Sequence, residues 1–273
     1  MRFATGMRRL IVLLAVLASA TLALATPAAA TPARTMTVLS FNIHHGAGED
    51  GVFDLDRVAD EIRRTHADVI GLQEVDRHYG ERSQWTDQPA ELAERLGMHV
   101  VYGANLDLEP PAAGQPRRQY GTAILSRYPI QSWTNTLLPK GKPAEEQRGL
   151  LTAVVNVRGV KVRVMNTHLQ HDSADSRLLQ AKVVADAVVA SKEPVVLTGD
   201  LNAIPTAPEI TTITEHLRDG GNAFTYPAPV PTARIDYVLT DGLPLFSKVL
   251  PTEASDHRPV LTALAVCSPP PRT

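Results

Sequence analysis

Two rhythms of apolar positions alternate along the chain. Short runs rich in Val, Ile, Leu and Thr at 36–41, 68–73, 98–103, 121–126, 131–137, 149–157, 160–167, 194–198, 234–240, 244–250 and 259–266 have strand length. Helical spacing occurs in fewer places. Leu55, Val58, Ala59 and Ile62 recur at that spacing over 55–65, behind Asp54 as N-cap. A short helix is predicted over 89–96, stopped at Gly97, and a further one over 208–217. The longest, 174–190, places Leu178, Leu179, Val183, Ala187 and Val188 on one side. Pro110, Pro111, Gly114 and Pro116 mark 105–119 as a loop, because each proline removes a donor and restricts its neighbour.

This order holds too few helices for a doubly wound sheet, which needs one after nearly every strand. Hairpin-like pairs at 121–137 and 149–167 instead predict an α/β sandwich: two mostly antiparallel sheets packed face to face, with helices outside. No repeat or linker divides it, so one domain over 36–267 is expected, with a flexible 31–35 before it and a loose tail at 268–273.

Residues 1–30 read differently. Arg2, Arg8 and Arg9 precede an uncharged Leu-, Val- and Ala-rich run from Leu10 to Ala25, and small residues end at Ala28-Ala29-Ala30. A basic head, an apolar stretch and an A-x-A end predict a secretory signal peptide, hence a secreted protein. The run is shorter than the about 20 residues of a membrane span, and nothing later in the chain is long enough to cross a bilayer.

Charge narrows the partners. Removal of 1–30 takes three arginines and no acids, so 24 basic residues face 29 acidic ones. Such a chain draws no long-range attraction for nucleic acid or anionic lipid from its net charge, although a bound cation can reverse the field locally. Cys267 is the only cysteine, which excludes an internal disulfide. A monomer is expected.

The chemistry-bearing residues gather where predicted strands end. Asn42 follows the first, Glu74 the second and His168 the strand at 160–167; Asp200 and Asn202 follow 194–198, Asp236 lies in a short strand, and Asp256-His257 precedes the last. Strand ends hold side chains rigidly while leaving space for substrate. Oxygen donors from Glu74, Asp256 and Asn42 suit a hard cation, Mg²⁺ or Mn²⁺. Asp200 has the chemistry to orient an attacking water, and Asn202 to hold that water or a phosphate oxygen. A protonated imidazole stabilises a pentavalent phosphorus, and Asp236 near His257 would raise that ring's proton affinity. No H-E-x-x-H string is present.

FN at 41–42, LQEVD at 72–76, YGTAILSRYPI at 120–130, NTHLQ at 166–170, TGDLN at 198–202, RIDYV at 234–238 and SDHRP at 255–259 occur in an order that resembles the endonuclease/exonuclease/phosphatase superfamily. The resemblance implies a four-layer DNase I-like sandwich and a metal-dependent phosphoester hydrolase. It implies Glu74 as principal metal ligand with Asn42 and Asp256 in or beside the shell, and His168 and His257 on the scissile phosphate. Asp200 and Asn202 would handle the water or transition state, and Asp236 would orient His257. Several members support the histidine of the THL string with a second carboxylate, for which Asp172 is a weak match. The family's tyrosine before ILSR does not align cleanly with Tyr120.

His44, His45 and Asp50 in FNIHHGAGEDG are candidates for the pocket rim, Arg77, Arg118 and Arg148 for a phosphate grip, and His171 and Arg177 for its mouth. A phosphodiesterase or phosphatase acting on a small or lipid-head phosphoester is the favoured reading. The alternatives are a secreted DNA or RNA endonuclease, a sphingomyelinase-like phospholipase and an inactive binding module. The acidic balance and absence of a Lys/Arg block weigh against the nuclease. The 13 Phe, Trp and Tyr, with no adjacent loop pair, weigh against the membrane enzyme.

Overall fold

The computed structural model describes residues 33–267; the signal-peptide reading at 1–30 and the tail at 268–273 lie outside them. One six-stranded sheet contains β1 (Arg34–Asn42), β2 (Val69–Arg77), β3 (His99–Leu108), β4 (Arg118–Ser126), β11 (Leu243–Val249) and β12 (Val260–Val266), in the order β11-β12-β1-β2-β4-β3. The other contains β5 (Ile130–Leu137), β6 (Gly149–Val157), β7 (Val160–His168), β8 (Val195–Asp200), β9 (Arg218–Asp219) and β10 (Asp236–Thr240), in the order β5-β6-β7-β8-β10-β9. Each sheet has one parallel pair, β1 with β2 and β7 with β8; the other pairings are antiparallel. Parallel neighbours need a crossover. Helix α1 (Leu55–Thr65) supplies the first and α3 (Ala174–Val189) the second, while α2 (Gln88–Leu96) and α4 (Pro208–Thr214) complete the set.

Alternation sorts the core into three layers. Val38, Val69, Val164, Val196 and Val238 fill the space between the sheets. Leu39, Phe41, Ile70 and Leu72 face the other way, onto Leu55, Val58 and Ile62 of α1. Met165, Leu197, Tyr237 and Leu239 pack on the opposite outer side with Ala181, Val184 and Val188 of α3. The predicted four-layer sandwich is therefore the fold.

The inner face changes character along each strand. Val38 gives way to Ser40 and Asn42 in β1, Val164 to Asn166 and His168 in β7, and Val196 to Thr198 and Asp200 in β8, all buried. Asn166 stitches the sheets together at the change. Its Nδ2 donates to the Leu72 and Ala123 carbonyls at 2.8 and 2.9 Å, and its Oδ1 accepts from Gln73 Nε2 at 2.7 Å and Thr198 Oγ1 at 3.0 Å. The sheets approach closely there, since a Cβ on Gly71 would overlap the Thr198 hydroxyl.

Three local expectations need correction. The predicted loop at 105–119 is shorter, because Leu106, Asp107 and Leu108 continue pairing with Tyr120, Gln119 and Arg118. Helix α4 ends at Thr214, three residues before its predicted end. The buried side of α3 is Gln180, Ala181, Val184, Ala185 and Val188, while Leu179 is exposed. Small residues let that helix lie close, and Gln180 accepts from the Gln170 backbone N–H at 2.9 Å and donates to the Pro139 carbonyl at 3.0 Å.

Candidate active site

Asp200 is the centre of the site, and β pairing places it there. Its partner in parallel β7 is His168 and its partner in antiparallel β10 is Asp236, so the three side chains share the inner face at the same end of the sheet. Asn42 reaches across from the other sheet and donates from Nδ2 to Asp200 Oδ2 at 3.1 Å and to Glu74 Oε1 at 3.0 Å. Asn42 Oδ1 accepts from the His44 backbone N–H at 3.1 Å, which fixes the orientation of the amide. The residue expected in or beside a metal shell thus presents a donor that ties the two carboxylates together.

Glu74 is not at the end of its strand. Between Leu72↔Ala123 and Val75↔Gly121, β2 carries two residues against one in β4, and Glu74 takes φ +56°. Such a bulge turns a side chain out of the alternation, here into the cavity that also holds Asp256, His168, Asp200, Asn202 and His257. Asn202, likewise at positive φ, donates its backbone N–H to Asp200 Oδ1 at 3.0 Å and its side-chain nitrogen to the Leu169 carbonyl at 3.1 Å. One Asp200 oxygen is thereby occupied. The other, Oδ2, faces His168 Nε2 at 3.5 Å and His257 Nε2 at 3.7 Å.

The two imidazoles differ in charge. Burial works against a proton on His257, but the Asp236 and Asp200 carboxylates outweigh it and raise the ring to about 10. Asp236 Oδ2 sits 3.0 Å from His257 Nδ1 and so orients it. Burial instead drives His168 well below the usual histidine range, with the Arg148 cation adding to the effect. Arg148 Nη1 lies 3.0 Å from His168 Nδ1; a guanidinium only donates, so Nδ1 accepts and the ring proton is on Nε2. Asp200 is lifted to about 7, chiefly by burial.

The structure therefore brings together all eight expected residues, Asn42, Glu74, His168, Asp200, Asn202, Asp236, Asp256 and His257. Asp172 does not support His168; it accepts from Gln170 Nε2 at 2.5 Å. Arg148 takes that position, itself buried and paired with Glu146 at 2.9 Å. His171 lines the cavity, whereas Arg177 is tied to Glu209 and to the Gln170 and His171 carbonyls. Arg77 covers the Tyr102 ring, and Arg118 bonds the Tyr79 carbonyl at 2.7 Å. Asp50 pairs with Arg57, away from this cavity.

Tyr79, Arg82, Glu146 and Tyr226 also line the cavity and had no signal in the sequence beyond loop position. Tyr120 lines it too, its hydroxyl pushed well up by burial. The cavity measures about 520 Å³. A larger hollow of about 730 Å³, lined by residues such as Asp50, Arg57 and Glu253, contains none of the expected catalytic groups.

Glu74 and Asp256 supply the oxygen chemistry a divalent cation requires, so the residues present fit such an ion. His44 and His45 stand beside them: ligand atoms of His44, His45 and Glu74 lie within 4.8 Å of one another, and His44 Nδ1 is 3.7 Å from Asp256 Oδ1.

Residues 39–257 match the endonuclease/exonuclease/phosphatase family. The chain belongs to that family. It is 32% identical over 176 residues to YbhP of Escherichia coli K12, a match covering 60% of this chain and 66%, just under two thirds, of YbhP. An endonuclease/exonuclease/phosphatase from Beutenbergia cavernae is 31% identical with a TM-score of 0.72, over 85% of this chain and 72% of that one. The fold is shared with a mannosyl-6-phosphatase from Bacteroides thetaiotaomicron, 19% identical with a TM-score of 0.68, over 84% and 99% of the two chains.

Proposed function

We propose that this family member is a divalent-metal-dependent phosphoester hydrolase, exported by its N-terminal segment, with a small or lipid-head phosphoester as substrate. The observation that carries the reading is the convergence of His168 Nε2, His257 Nε2 and Asn42 Nδ2 on the single oxygen Asp200 Oδ2, at 3.5, 3.7 and 3.1 Å, inside the cavity that holds Glu74.

A cation held by Glu74 and Asp256 would neutralise charge on a phosphoryl oxygen. Asp200, with Oδ1 held by Asn202, offers Oδ2 to orient water and accept its proton. Cationic His257 donates from Nε2 to a phosphoryl oxygen whose charge grows during attack, while Asp236 keeps the ring in place. Neutral His168, held through Nδ1, donates from Nε2 beside it without adding a second net charge. Asn202 also stands in the cavity wall, where it can meet the water or a phosphate oxygen.

The cavity volume of about 520 Å³ is that of a small-molecule pocket and supports a compact substrate over a polynucleotide groove. Its lining includes Tyr79 and Tyr226 as well as Arg82 and Arg148. A screen with Mg²⁺ or Mn²⁺ across sugar phosphates, inositol phosphates, nucleotides, phospholipids, plasmid DNA and RNA tests the assignment. Turnover of a small or lipid-head ester at rates above those for polynucleotides is expected. Preferential DNA or RNA cleavage would replace the substrate assignment, and no hydrolysis of any class would reject the function.

A further inference from the structure

Directly after β1 the backbone does something costly. His44 and His45 take φ +44° and +45°, followed by Gly46 at +86°. Glycine accepts that region freely; a side-chain-bearing residue there is strained and persists only where its surroundings fix it. The conformation sets the two imidazoles edge to face, with ring centroids 4.5 Å apart. It also leaves both Nδ1 atoms buried with no hydrogen-bond partner among the described residues. An unmet buried polar atom is costly in a folded protein. Two strained residues with two unmet ring nitrogens need a reason to be there.

Carboxylates stand close to the two rings. Ligand atoms of His44, His45 and Glu74 fall within 4.8 Å of one another, and Asp256 Oδ1 lies 3.7 Å from His44 Nδ1. The nearby cation, Arg82, is already paired with Asp76 through bonds of 2.9 and 2.7 Å. Asn42, expected from the sequence to supply oxygen, has its Oδ1 occupied by the His44 N–H. The donor set around Glu74 is therefore richer in nitrogen than the sequence pattern of acids and amides indicates.

We propose that His44 and His45 are metal ligands which, with Glu74 and Asp256, form a mixed nitrogen and oxygen site for a first-row transition ion such as Zn²⁺ or Mn²⁺, in preference to Mg²⁺. Nitrogen donors bind the first-row transition ions, Zn²⁺ more firmly than Mn²⁺, whereas Mg²⁺ takes oxygen and keeps its waters. The inference rests on the phosphoesterase reading for its purpose, since the same ion would serve the reacting phosphate. Its geometry stands without that reading.

The test is electron spin echo spectroscopy of chelator-stripped wild-type protein reloaded with Mn²⁺, with calorimetric titrations of Mn²⁺ and Mg²⁺ alongside. Bound Mn²⁺ is expected to show imidazole nitrogen modulation and to bind at least about tenfold more tightly than Mg²⁺. The His44→Asn/His45→Asn double variant uses a residue that tolerates positive φ. It is expected to lose the modulation and about 10–100-fold in Mn²⁺ affinity, with a much smaller change for Mg²⁺. Bound Mn²⁺ without nitrogen modulation in the wild type, equal affinity for both ions, or no Mn²⁺ binding would each overturn the proposal, whether or not the variant folds. Hydrolysis supported by nitrogen-free Mn²⁺ sinks the histidine ligands alone. Nitrogen-coupled Mn²⁺ in a protein that hydrolyses no phosphoester sinks the functional reading alone.

Discussion

Arg148 Nη1 donates to His168 Nδ1 across 3.0 Å. A carboxylate in that place would favour the charged imidazole; an arginine does the opposite, fixing a neutral ring with its proton on Nε2. The two histidines that face Asp200 thus differ in charge, one cationic through Asp236 and one neutral through Arg148.

Arg148→Met removes the donor and frees the ring to reorient. We expect kcat to fall about 10–100-fold, matching a buried charge-assisted hydrogen bond of about 1.5–3 kcal/mol, with a smaller change in KM. Nitrogen NMR of the wild type should show His168 Nδ1 unprotonated at neutral pH. A protonated Nδ1 would contradict the assignment.

His257 owes its charge to Asp236 and Asp200, which together overcome burial and hold it at about 10. In Asp236→Asn the opposing effect of burial gains weight. The ring should then titrate well below its wild-type value in chelator-treated protein, and kcat should fall at least about tenfold. An unchanged NMR titration would show that Asp236 does not set the charge.

Asp200 has the opposite sense to an ordinary paired acid. Burial raises its folded value from 3.8 to about 7, so its contribution to stability is present in acid and lost as pH rises through about 7. A nearby cation favours the anion and reverses that loss. Mn²⁺ added to chelator-stripped protein should therefore raise Tm more at pH about 8 than at pH about 6. An equal rise at both would place the ion away from Asp200.

Asn166 carries no chemistry but joins the sheets beneath the site. Asn166→Ala leaves the buried Leu72 and Ala123 carbonyls without their side-chain donor and strips Gln73 and Thr198 of an acceptor. About 2–4 kcal/mol of unfolding free energy should be lost in urea titrations. A loss below about 1 kcal/mol would show that the sheets are held otherwise.

Much of this was legible in the chain because strand alternation and strand ends are local. Val164, Asn166 and His168 differ by two, as do Val196, Thr198 and Asp200, so one face and one end follow directly from the sequence. The bulge at Glu74 was not legible: an extra residue in one strand shows only against its partner, and Glu74 was expected at a strand end. The sequence marks Arg148 as a candidate phosphate grip, but its contact with His168 arises from a pairing of β6 with β7 that no spacing reveals. Arg82, Tyr79 and Tyr226 reach the cavity from loops, where no period exists to mark them. In β3, pairing with β4 carried Leu106 to Leu108 into a stretch whose nearby prolines predicted a loop.

The measurement closest to the centre of this account is p-nitrophenyl phosphate and bis(p-nitrophenyl) phosphate turnover by chelator-stripped protein, before and after Mn²⁺ is restored, in wild type and Asp200→Asn. Turnover of at least one ester should appear only with the ion and fall by about 10³-fold in the folded variant, within the range for a lost catalytic base. Full turnover in chelator, or a variant as fast as the wild type, would contradict a reaction organised around Asp200 and a bound cation.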